Sequence, residues 1–265
     1  LPRSGTTILL NFLYSSNEFC SLKYLNMPFI MAPNLSILFQ KKNITTQERF
    51  HQDGIMFDLN SPEAFDEVFF SSFDTSKIKD EFLNYIQLIL LKENKKRYLS
   101  KNNYNYKRID LLLSLLPNAL FLIPIREPLQ HSYSLLTQHL HFSKLQRQND
   151  FIRRYMNYLG HHEFGINHMS WNEPNTYNNY QDINYWLEQW VLYYESIYKK
   201  YNDYSNCKFI IYEKLHDERT IDDLTNFVEI KFSNNFKFKV SHKDFSLNFD
   251  EDLYKYAKKT YLKFI

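Results

Sequence analysis

The residues best suited to chemistry stand at the start of the chain: Leu1-Pro2-Arg3-Ser4-Gly5-Thr6-Thr7, running into the apolar Ile8-Leu9-Leu10. A short glycine-containing turn that feeds a helix presents unpaired backbone N–H groups and the positive end of the helix dipole. That combination binds phosphate or sulfate. Arg3 adds a full charge, and Thr6 and Thr7 add hydroxyl donors. The pattern is not a complete Walker A loop, because Thr6 stands where that motif carries lysine. The competing reading is an ordinary helix start capped by a threonine.

A second grouping has the same character. Residues 119–125 (ALFLIPI) form an apolar run bounded by turn signals, as a parallel strand buried on both faces would. Arg126-Glu127-Pro128 follows at its carboxyl end, and Ser134 comes two helical turns later. A guanidinium and a hydroxyl converging there suit a second phosphate. The competing reading pairs Arg126 with Glu127 or with the first turn of the helix.

The elements that must position these groups alternate. Helices are predicted over residues 6–15, 78–94, 106–116, 128 to about 142, 185–201, 221–229 and 251–262, and strands over 97–100, 119–125 and 208–212. This alternation predicts an α/β fold with a mostly parallel sheet. Ligands of such sheets bind beyond the carboxyl ends of the strands, where both loops fall. Trp186 and Trp190 sit at helical spacing and read as core. The 265 residues are expected to form one domain, 1–265, with 44% apolar residues to fill its core.

The net charge is only +2, so no overall field attracts nucleic acid, and an anion must be held by a local cluster. Two cysteines, Cys20 and Cys207, make neither a disulfide framework nor a CxxC metal motif, and a reducing, cytoplasmic setting is the expectation. No apolar run reaches the roughly 18 residues of a membrane span.

Together the two loops resemble the sulfotransferases that use 3′-phosphoadenosine 5′-phosphosulfate (PAPS). Pro2 to Thr7 (PRSGTT) looks like the 5′-phosphosulfate loop of the branches that carry arginine there. Residues 115–134 (LLPNALFLIPIREPLQHSYS) look like the 3′-phosphate motif, with Arg126, Pro128 and Ser134 at the family's spacing. The resemblance implies that Arg3, Ser4, Gly5, Thr6 and Thr7 bind the 5′-phosphosulfate and that Arg126 and Ser134 bind the 3′-phosphate. It also places Tyr212, in residues 209–215 (FIIYEKL), beside the adenine, and Lys101 near the phosphosulfate. It implies a P-loop-like parallel sheet flanked by helices, whose first strand would precede Leu1. PAPS would be the co-substrate and no metal would be required. The acceptor remains open among carbohydrate, peptide tyrosine and small metabolite. A eukaryotic source would shift the expected compartment to the Golgi lumen.

The chain also departs from the family. The Arg-Lys-Gly tail of the cytosolic branch is absent; Lys237, Lys239 or Lys243 could replace it. Residues 20–28 offer no carboxylate where the tyrosylprotein branch carries its base. A base must therefore come from elsewhere. His51 and Asp53 are the preferred candidates, in a polar stretch that continues to Glu63. The competing reading of that stretch is a surface loop and a short helix capped by Ser61 with Pro62 at its first position. Residues 160–165 (GHHEFG) resemble a segment of bacterial sulfotransferase-like sequences, which implies an acceptor-site role for His161, His162 and Glu163. With His168 nearby a metal site is conceivable, but the spacing is not His-Glu-x-x-His. Arg153 and Arg154 read as a solvated helix face.

Two alternatives stay open. A P-loop nucleotide or small-molecule kinase would need a Walker lysine and a Mg²⁺-holding carboxylate after a strand. A catalytically idle relative would bind the nucleotide without turnover.

Overall fold

The periodic segments fold as their patterns dictate. The computed structural model describes residues 1–27, 29–39, 45–48, 56–73, 75–173, 175–231, 236–238 and 242–265. Helix α1 (Thr6–Ser15) buries Leu9, Leu10, Phe12 and Leu13 and leads into strand β1 (Phe19–Cys20). A short antiparallel pair, β2 (Gln47–Glu48) and β3 (Met56–Phe57), precedes helices α2 (Asp66–Ser72) and α3 (Thr75–Glu93). Strand β4 (Arg97–Tyr98) then pairs with β1 in parallel, Phe19 opposite Arg97.

The predicted helix over 106–116 is divided. A 3₁₀ turn, Asn105–Lys107, ends at Arg108, and α4 (Ile109–Leu115) starts afresh. Strand β5 (Phe121–Ile125) follows, then α5 (Pro128–Gln148), α6 (Asp150–Tyr158) and α7 (Ile183–Tyr201). Strand β6 (Cys207–Ile211) runs parallel to β5, with Phe121 opposite Cys207 and Ile125 opposite Ile211. Helices α8 (Glu218–Phe227) and α9 (Glu251–Tyr261) complete the described fold. The fold is thus mixed α/β with two short parallel strand pairs among the described residues.

The principal core gathers where α7 packs against α5 and α9. Tyr185, Trp186, Trp190 and Tyr194 are wholly buried there, as their helical spacing predicts. Three side chains also anchor the exit of β5. Tyr194 donates from its hydroxyl to the Pro124 carbonyl at 2.8 Å, Trp190 Nε1 donates to the Arg126 carbonyl at 3.2 Å, and Glu213 accepts from the Glu127 N–H at 2.9 Å. The turn that carries Arg126 is therefore held from three directions.

Two expectations need correction. Helix α5 extends past residue 142 to Gln148, because the following Ser-Lys-Leu-Gln-Arg-Gln is made largely of good helix formers. It stops at Asn149, whose side chain caps α6 by accepting from the Phe151 N–H. Ser61 does not cap a helix. Its hydroxyl donates to Asp58 Oδ1 at 3.1 Å, Pro62 bridges to Lys23, and α2 begins only at Asp66. Between β4 and β5 lies an apolar cavity of about 340 Å³, walled by Leu9, Leu13, Ile86, Ile109, Leu112 and Ile123. No described helix is long and apolar enough to cross a membrane.

Candidate active site

The opening loop is built around two residues with positive φ. Arg3 has φ +64°, an uncommon value for a residue with a side chain, and Gly5 has φ +98°. A Cβ on Gly5 would stand 2.6 Å from Tyr212 Cδ2, so the conformation and the close approach both demand glycine. Gly5 is also the residue that precedes α1, and no side chain caps that helix. The threonine-cap reading thus fails, and the first-turn N–H groups keep their capacity for an anion. The Ser4 hydroxyl is spent inside the loop, donating to the Leu1 carbonyl at 2.7 Å, and Ser4 is wholly buried and does not border the cavity, against the expectation that it binds the 5′-phosphosulfate. His131, wholly buried on α5, donates from Nε2 to the Pro2 carbonyl at 2.7 Å and ties the loop to that helix. Burial holds its pKa well below the ordinary value, so the ring is neutral.

The second anion site meets the first. Arg3 Nε donates to Ser134 Oγ at 3.4 Å, and Arg126 Nη1 donates to the Arg3 carbonyl at 3.4 Å. The Arg126 guanidinium lies 4.9 Å from the centre of the Tyr212 ring. The alternative pairing of Arg126 with Glu127 does not occur. Glu127 caps α5 through Gln130 N and accepts from Tyr254 at 2.9 Å. Lys243 joins the group from the C-terminal third. Its backbone is clamped by the Gln130 amide, at 3.0 Å through N–H and 2.9 Å through C=O. Its ammonium pKa is lowered, first by burial and then by Arg3 and Arg126, which shows three cations brought together. Of the three lysines weighed for the missing tail, Lys243 borders the cavity and Lys237 does not; Lys239 lies outside the described residues.

These groups open on a cavity of about 390 Å³, bordered also by Thr6, Thr7 and Lys101. Two carboxylates also border it. Glu63 accepts from Tyr24 Oη at 2.7 Å and from the Ala64 N–H at 2.8 Å, and stands 3.5 Å from Lys101 Nζ. Glu163 accepts from Asn103 Nδ2 at 2.8 Å and lies 3.4 Å from His161 Nδ1. Burial alone would raise the Glu163 pKa. The charge and hydrogen bond of His161, and the bonds from Asn103 and the backbone, outweigh it and hold the carboxyl down at about 2.

The loop carrying Lys101 and Asn103 is fixed by the two acids that open α2. Asp66 accepts from Tyr98 and Ser100, each at 2.5 Å, and Glu67 accepts from Asn102 at 2.7 Å. Glu67 is held in turn by Arg108 at 2.6 Å. The sequence reading missed this brace, although three acids within five residues, Glu63, Asp66 and Glu67, are its visible trace.

Arg3, Gly5, Thr6, Thr7, Lys101, Arg126, Ser134, Tyr212, His161 and Glu163 thus border one cavity. His162 does not: its N–H donates to the Gly160 carbonyl, and its own carbonyl accepts from Met169. His51 and Asp53 lie outside the described residues. His168 belongs to the aromatic core, 2.8 Å from the Tyr185 hydroxyl. Arg153 and Arg154 are exposed and both pair with Asp150.

An α/β scaffold that gathers three cations and an uncapped helix start beside a cavity is a protein built to hold an anionic ligand. The chain belongs to the sulfotransferase family, whose model matches residues 1–185. Sulfuryl transfer is the activity of that family. No curated protein matches the chain.

Proposed function

We propose that the protein transfers a sulfuryl group from PAPS to a hydroxyl or amine. The observation that carries this reading is the convergence of Arg3, Arg126 and Lys243 on one cavity, beside Ser134 and the start of α1. The donor set fits a nucleotide with two separated phosphates: cations and N–H groups at the start of α1 and at the exit of β5, with the Tyr212 ring beside both. PAPS, when bound, supplies a sulfuryl group that passes to the acceptor atom as its S–O bond to the 5′-phosphate breaks.

The remaining steps belong to the chain's own residues. The N–H groups of Gly5 to Thr7 would hold the 5′-phosphate, and Arg3 would offset charge growing on the bridging oxygen. Arg126, Ser134 and Lys243 would hold the 3′-phosphate, with the Tyr212 ring beside the base. Lys101, paired with Glu63, would face the sulfuryl oxygens. The proton of the acceptor goes to His161. Its Nδ1 is committed to the Glu163 carboxylate, so in the neutral ring Nε2 holds the lone pair. Glu63 suits this role less well, because Tyr24, Ala64 and Lys101 already engage its oxygens.

The finer reading of the fold, a P-loop-like sheet flanked by helices, is supported by the parallel pairing of β1 with β4 and of β5 with β6. A single domain over 1–265 is supported by Tyr212 and Lys243, which lie beyond the matched 1–185 and border the same cavity.

Calorimetric titration with adenosine 3′,5′-bisphosphate tests the proposal, with ATP–Mg²⁺ and Arg126→Ala alongside. The expected result is micromolar binding, weakened ~10-fold or more by Arg126→Ala. No binding to folded protein, or a clear preference for ATP–Mg²⁺, would overturn it in favour of the kinase reading.

A further inference from the structure

Two acids stand directly beside the residues that face the cavity. Glu127 follows Arg126 at the exit of β5, and Glu213 follows Tyr212 at the exit of β6. Arg126 and Tyr212 border the cavity; the two acids do not. Both acids are gripped by α9 instead. Tyr254 donates to Glu127 Oε1 at 2.9 Å, Lys258 Nζ lies 3.6 Å from the same oxygen, and Tyr261 donates to Glu213 Oε2 at 2.8 Å. Tyr254, Lys258 and Tyr261 are spaced i, i+4, i+7 and so share one face of the helix. The remaining carboxylate oxygens meet main-chain donors: Glu127 Oε2 accepts from the Gln130 N–H at 2.8 Å, and Glu213 Oε1 from the Glu127 N–H at 2.9 Å.

An acid next to an arginine competes with any phosphate for it, because a carboxylate offers the guanidinium the same two-oxygen fork. An anion site with an acid at the adjacent position works only if that acid is held elsewhere. We propose that α9 is the positioning element of the 3′-phosphate subsite. Tyr254 and Lys258 hold the Glu127 carboxylate off the Arg126 guanidinium, and Tyr261 holds Glu213 against the Glu127 N–H, which joins the two strand exits. Tyr254 and Tyr261 are thus positioning residues that touch neither ligand nor reacting atoms. This rests on the PAPS reading above. It also puts a determinant of donor binding on residues 254–261, far beyond the matched 1–185.

The test is calorimetry with adenosine 3′,5′-bisphosphate and with 5′-AMP, which lacks the 3′-phosphate. The proteins are the native chain, Tyr254→Phe, the double variant Tyr254→Phe/Tyr261→Phe, and that double variant with Glu127→Gln added. The double variant is expected to bind the bisphosphate ~10-fold more weakly while 5′-AMP shifts by less than about 2-fold, with Tyr254→Phe between native and double. Glutamine at position 127 keeps an oxygen for the Gln130 N–H and carries no charge to compete for the guanidinium. It should bring the bisphosphate back to within about 2-fold of native. Unchanged bisphosphate affinity in both tyrosine variants would overturn the proposal. So would an equal fall for both nucleotides, or a fall that Glu127→Gln does not reverse, since the hydroxyls would then serve only to dock α9. Tyr254→Phe removes one hydroxyl and no ring, so it decides the matter if the double variant unfolds. All these outcomes leave the donor reading standing. Failure of the native chain to bind the bisphosphate would bring that reading down, and this proposal with it.

Discussion

The two sides of the cavity are built by opposite means. The cationic side is made of short sequence units, residues 1–7 and 126–134, each a loop that feeds directly into a helix. Backbone groups at a helix start and one or two side chains do the work, so spacing along the chain carries the design. The remaining border is assembled from four distant places: Glu63 and Phe65, Lys101 and Asn103, Phe142 on α5, and residues 155–164. Its chemistry lies in pairings between those places, Asn103 to Glu163 and Lys101 to Glu63, which no spacing along the chain announces.

The comparison is broken or sharpened most strongly by His161→Asn. If the cationic side binds and the other side reacts, this change lowers the rate of bisphosphate release from PAPS in the presence of acceptor by ~10²-fold or more. Affinity for adenosine 3′,5′-bisphosphate should then stay within about 2-fold of native. Stopped-rate assays and calorimetry on the same preparation read both. A fall in bisphosphate affinity as large as the fall in rate would mean that the two sides are one site and that His161 is no base.

The next effect is on stability. The Glu163 carboxyl ionises at about 2 in the folded chain, against an ordinary 4.5. A carboxyl with a depressed folded pKa contributes stability that is fully present above the unfolded value. That contribution is lost as pH falls through the folded value. Denaturant titrations of the native chain should therefore show a contribution of ~3 kcal/mol vanishing between about pH 4.5 and 2. Glu163→Gln should flatten the profile across that window. An unchanged profile would show that the His161–Glu163 pair does not organise this side.

What the sequence disclosed follows the same division. Residues 6–15 and 119–125 carry an apolar period and clear boundary residues, and α1 and β5 formed where predicted. The two anion loops were legible because arginine, glycine and serine at fixed offsets from a strand or helix are local facts. The acceptor side was not. Residues 160–165 attracted attention through their histidines, but only tertiary contact separates His161, at the cavity, from its neighbour His162. Glu63 was passed over for His51 and Asp53 because its partner Lys101 lies 38 positions away, and a salt bridge of that span leaves no local pattern. Ser61 misled for the converse reason: its local pattern is that of a helix cap, yet Asp58 takes its hydroxyl first.

Lys243 tests the cationic side where it extends beyond the matched residues, and its effect is the smallest. Burial, Arg3 and Arg126 together lower its ammonium pKa from 10.5. For a lysine this sign means that the unfolded chain binds the proton more readily than the folded one. The charge therefore costs stability at neutral pH, and that cost fades as pH rises towards 10.5. Replacing the ammonium with a methyl-capped chain of similar length should relieve it. The clamp from Gln130 holds Lys243 by its main chain and survives the change. Lys243→Met is thus expected to shift the urea midpoint slightly upward and to weaken adenosine 3′,5′-bisphosphate a few-fold, about what one partly exposed charge contributes to an anion. A gain in stability with unchanged affinity would show that the anion never meets this lysine, and that the cationic side ends with Arg126 and Ser134.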